Sequence, residues 1–73
     1  MADDKRAAKR ELKRMSMAMS RHQSDREAYR DKGDASGVAQ CEWLLKLDYL
    51  LIRKHCAEHN LELPHDVPPA GNG

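Results

Sequence analysis

The chain has no phenylalanine, one tryptophan and two tyrosines among 73 residues. So few large rings, with 34% of residues charged, argue against a large self-contained core. A domain this short has much surface for little interior. Such chains usually need a staple, a metal or a second chain. The sequence also lacks a long apolar run, the longest being the four residues from Tyr49 to Ile52. A membrane span needs about 20 apolar residues, so no membrane role is expected. The start, MADDKRAAKR, is charged and does not read as a secretory signal. Net charge is nearly absent at +1, so no global field marks a nucleic-acid or membrane binder. A cytoplasmic location follows as the expectation.

Cysteine is scarce as well. Cys41 and Cys56 stand alone, and on one helix they would lie about 22 Å apart along the axis. A disulfide needs Cα atoms within about 7 Å. Two free, buried thiols in a reducing compartment are therefore expected.

Neither Gly nor Pro occurs before Gly33, so residues 3–32 read as one helix. Asp3 and Asp4 sit at its start, where the helix dipole favours anions. Ala8, Leu12, Met15, Met19, His22, Arg26 and Tyr29 step by four and three, a heptad-like seam of small, flexible or polar side chains. Of the neighbouring methionines, Met15 and Met19 read as core and Met17 as surface. Ser24 to Glu27 matches a capping box but follows no helix breaker. Residues 33–36 read as a turn, with Gly33 as the left-handed stop and Asp34 or Ser36 as the next cap. A second helix runs from about 36 to 60, ended by Asn60 and prevented from resuming by Pro64. Residues 1–60 thus form a two-helix antiparallel hairpin. Residues 61–73, LELPHDVPPAGNG, form an extended or flexible tail.

The second helix is apolar around most of its circumference. Val38, Cys41, Leu45, Tyr49, Ile52 and Cys56 make one seam. Trp43, Leu44, Leu47, Leu50 and Leu51 make another, turned away from it. Glu42, Lys46 and Arg53 share the one narrow polar strip. A single companion helix covers one seam, not two. Burying a Leu-sized side chain is worth about 1.5–3 kcal/mol, so leaving Trp43, Leu47 and Leu50 wet forgoes about 5–9 kcal/mol by the same estimate. Net stabilities are only about 5–15 kcal/mol. The second seam is therefore expected to meet another chain, most simply a copy of itself, in a four-helix bundle dimer.

Asp48 interrupts the first seam, and a carboxylate there needs a cation or donors. A hairpin turning at 33–36 sets it opposite Arg21 and His22, and brings Arg26 near Trp43. The densest set of metal-ligand types is His55, Cys56 and His59, with His65 on the tail. His55 and His59 share a helical face, but the set lacks the cysteine pairs or Cys2His2 pattern of a closed zinc site. Solvated histidines at a helix end are the simpler reading, so no metal or cofactor is expected.

Lys5, Arg6, Lys9, Arg10, Lys13 and Arg14 form the strongest nucleic-acid candidate. They spread around the helix, acidic neighbours dilute them, and no aromatic residue lies near to stack on bases. For catalysis the signals are weak. There is no Gly-rich phosphate loop, nucleophile elbow or triad, and Ser16, Ser20 and Ser24 follow a spacing common on polar helix faces. The sequence reads as a small non-enzymatic protein–protein interaction module, a regulator or adaptor whose apolar second helix serves self-association as a homodimer or binding to another protein. Trp43, Leu44, Leu47, Leu50 and Leu51 would carry the contact, and a nucleic-acid-binding helical dimer is the alternative.

Overall fold

Two left-handed residues, Gly33 at φ 73° and Asn60 at φ 55°, close the two helices of the computed structural model. The model describes residues 2–69. Helix α1 spans Ala2–Asp31 and helix α2 spans Ala35–His59. Ser24 lies inside α1, which runs unbroken through the capping-box motif.

The corner between the helices satisfies its own backbone. Asp34 N–H donates to the Tyr29 carbonyl at 2.9 Å and Gly33 N–H to the Arg30 carbonyl at 3.0 Å. This is the double bond that a left-handed residue after a helix permits. Asp34 then caps α2, its Oδ1 accepting from Gly37 N–H at 3.0 Å. The closing residue is a glycine because only glycine takes that conformation without steric cost.

Gly37, four residues after Gly33, is buried. A Cβ there would overlap the ring of Tyr29, so the missing side chain lets α1 and α2 approach at their junction. The hairpin then closes over Ala8, Met19, Cys41, Leu45, Ile52 and Cys56, all at least 96% buried. Leu12, Met15 and Tyr49 pack half-buried around that core. Met17 points outward and is exposed. Tyr29, the last member of the α1 seam, is at the margin of exposure and spends its ring on Gly37.

The segment after α2, expected to be extended or flexible, forms no regular element among the described residues but packs on the hairpin through Leu61 and Val67. Asn60 and Leu61 N–H groups both donate to the Cys56 carbonyl, which turns the chain back. Leu61 packs on the core, and Val67 is 4% exposed among Met19, Leu45, Ile52 and Cys56. A turn closed by Val67 N–H and the Pro64 carbonyl at 3.1 Å aims it inward. The physical reason is the open end of the hairpin: two helices alone leave one side of Ile52 and Cys56 wet, and the nearest apolar side chains that can reach are those of the tail. No helix or strand forms in residues 61–69. Residues 70–73 of the tail lie outside the described residues.

The molecule measures 48 × 27 × 16 Å. Its thinnest dimension is little more than one helix diameter of about 10–12 Å. The two helices therefore form a single layer, and among the described residues nothing covers the outer face of α2.

Candidate functional site

The outer side of α2 is the consequence of that single layer. Trp43 is 61% exposed, Leu50 58%, Leu51 56% and Leu47 38%. Leu44 is half-buried at the boundary with the inner seam. Helical periodicity sets this arrangement: residues at steps of three and four share a face, so the apolar residues between 43 and 52, interrupted by Lys46 and Asp48, fall on both sides of the helix. Cys41, Leu45 and Ile52 meet α1, and Trp43, Leu47 and Leu50 point away from it. Scaled by these exposures, the four side chains keep on the order of 400 Å² in water.

A groove runs beside this face, lined by Arg26, Glu42, Trp43, Lys46 and Tyr49. Arg26 and Trp43 thus come to one place, as the hairpin pairing implies. Arg26 Nε is buried with no acceptor among the described residues. A buried donor left unpaired costs about 1–3 kcal/mol.

On the opposite flank Asp48 meets His22, whose Nδ1 donates to Asp48 Oδ2 at 2.6 Å. Both side chains are largely buried. The bond answers the question raised by a carboxylate in an apolar seam, and His22 rather than Arg21 supplies the partner. A second groove opens beside it, lined by Glu11, Arg14, Met15, Ala18, Asp48 and Leu51.

The candidate ligands at the far end of α2 separate. His55 Nε2 donates to the Ala8 carbonyl at 2.8 Å, tying α2 to α1. The His55 and His59 rings lie 4.6 Å apart, centroid to centroid. Cys56 turns the other way into the core, where its Sγ donates to the Glu62 carbonyl at 3.7 Å. Adjacent helical residues diverge by about 100°, which is why Cys56 and His55 do not converge. Among the described residues no group of three potential ligands could hold a metal ion. Burial pushes the Cys56 thiol up from its ordinary 9.0, so it is a poor nucleophile at neutral pH. Cys41 and Cys56 are both free and buried.

The six cations in the first half of α1, Lys5, Arg6, Lys9, Arg10, Lys13 and Arg14, are all exposed. Arg14 makes a solvent-facing pair with Glu11 at 3.6 Å. Such pairs are worth little. Among the described residues no helix is long and apolar enough to cross a membrane.

The residues that sequence reasoning missed are Val67 and Gly37. Val67 carried a faint signal, being the one aliphatic residue amid prolines. Gly37 carried a better one, a glycine inside an otherwise strong helix, which marks a close approach. Compared with family models, curated proteins and solved structures, the chain matches none.

Proposed function

We propose that this chain is a small non-enzymatic interaction module, a regulator or adaptor, that pairs with a second copy of itself through the outer face of α2. The observation that carries the reading is the exposure of Trp43, Leu47, Leu50 and Leu51 on one helix face. Scaled by these exposures, covering them is worth about 3–6 kcal/mol per copy. The occupant we favour is a second hairpin, giving a four-helix bundle dimer. An antiparallel crossing centred between Leu47 and Asp48 sets Glu42 of each copy beside Arg53 of the other, so this flank complements itself.

The groups best suited to chemistry are otherwise engaged, which supports the non-enzymatic part. His22 is bonded to Asp48, His55 to a carbonyl, and Cys56 sits in the core. Two free cysteines fit a reducing compartment such as the cytoplasm.

A patch of on the order of 400 Å² is half of the roughly 800 Å² per partner of a standard interface. The dimer should therefore be of micromolar strength and visible only over a range of concentration. Light scattering across an approximately hundredfold dilution series tests this. The mass should rise from 8.3 kDa toward twice that value. Leu47→Asp with Leu50→Asp should hold it at the lower mass while leaving helical circular dichroism in place. A wild-type mass fixed at 8.3 kDa throughout would sink the pairing.

A further inference from the structure

The hairpin sorts charge as well as apolar surface. Residues 5–14 carry six of the chain's 13 Lys and Arg but one of its 12 Asp and Glu, namely Glu11. The remainder of the chain is net acidic, so the near-neutral total conceals a dipolar molecule with a basic end.

Sequence alone spreads these cations around a helix. The structure decides which half they occupy. Ala8 is buried and Leu12 and Met15 are half-buried against α2. Lys5, Lys9 and Lys13 form one row at four-residue steps, and Arg6, Arg10 and Arg14 form a second beside it. On the helical wheel Lys13, Arg6, Arg10 and Arg14 fall on the half away from Ala8, Leu12 and Met15, Lys9 lies at its edge, and Lys5 is exposed beside Leu12. Successive cations within a row rise about 6 Å along the axis. Packing on α2 thus leaves Lys9, Lys13, Arg6, Arg10 and Arg14 together on one outward basic surface, with Lys5 at its margin. The outer face of α2 lies on the other helix, so its pairing leaves this surface open.

We propose that the outer face of the first half of α1 binds the phosphate backbone of double-stranded DNA, without reading its sequence. Three features of this surface favour duplex DNA. A helix that settles on a lipid surface needs an apolar face to insert, and the apolar side of α1 is already spent on α2. A protein partner would need an apolar or aromatic anchor at the centre of the contact, and residues 5–14 present none outward. Nor do they contain an aromatic side chain to stack on unpaired bases, or an Asn or Gln to read base edges. What remains is a charge lattice, and duplex DNA presents one negative charge per about 1.7 Å of its axis.

Fluorescence anisotropy of the full chain with a labelled 24-base-pair duplex provides the test. If all six cations displace counterions, the logarithm of affinity should fall against that of salt with a slope of about −5, so that raising salt from 50 to 200 mM weakens binding about 10³-fold. Lys9→Glu with Arg10→Glu and Lys13→Glu should weaken binding at 50 mM more than tenfold, with helicity unchanged. Lys9→Arg with Lys13→Arg should retain it. The proposal fails if no binding is seen at 50 mM, or if the slope is shallower than about −1. It also fails if Lys46→Glu with Arg53→Glu on α2 abolishes binding as thoroughly, or if phosphatidylglycerol vesicles bind and the duplex does not. None of these outcomes depends on whether the α2 faces pair, since the Leu47→Asp, Leu50→Asp variant can be titrated in the same way.

Discussion

Val67→Ala probes the one part of the core supplied from outside the helices. Val67 is 4% exposed and touches a cluster whose other members include Ile52 at 0% and Leu45 at 2%. The substitution removes two methyl-sized groups, worth about 0.8 kcal/mol each by transfer. A cavity term is added where the tail fails to collapse into the gap. The expected loss is about 1.5–2.5 kcal/mol. For a chain of this size that shifts the thermal midpoint by roughly 6–20 °C. Urea denaturation followed by helical circular dichroism, at one fixed protein concentration, measures it. His65→Ala, two residues earlier and exposed, is the control and should change stability by less than about 0.5 kcal/mol. If Val67→Ala does no more than His65→Ala, the tail does not seat on the hairpin and the account of the open end is wrong. Ile52→Ala sets the upper mark, at about 2–5 kcal/mol.

Three further outcomes follow from local geometry. Asp48→Ala and His22→Ala should each destabilise, and a double-mutant cycle should return a coupling of about 1.5–3 kcal/mol; a coupling near zero would mean the 2.6 Å contact contributes nothing in solution. Gly37→Ala should destabilise the wild type, against the usual gain from replacing glycine in a helix, because the new methyl meets the Tyr29 ring. In a Tyr29→Ala background the sign should reverse, and melting curves of the four proteins decide it. Cys56 has its thiol pKa raised above 9.0 by burial. Its contribution to stability is thus complete below that pH and is lost as pH rises through the folded-state value. Aromatic disulfide reagents at neutral pH should label it slowly in the native protein and rapidly in urea, and equal rates would contradict its burial.

The sequence by itself determined the two helices and their punctuation. Gly33, Asp34 and Asn60 act through their own backbone conformations and nearest amides, interactions that span at most a few residues, and such effects are legible without a fold. Helical periodicity likewise picked out Cys41, Leu45 and Ile52 as one face and Trp43, Leu47 and Leu50 as another. The His22–Asp48 contact was within reach because a hairpin with a short turn fixes which residues face each other. Tertiary structure alone decided the rest. Val67 joins the core because the hairpin leaves a hole at its open end, and no local signal records the shape of a hole. Gly37 is needed because a ring from the other helix fills the space of its absent side chain. The basic residues of α1 form one surface only once α2 has taken the other side of that helix. Each of these depends on contact between parts of the chain far apart in sequence, where burial and exclusion, rather than propensity, set the outcome.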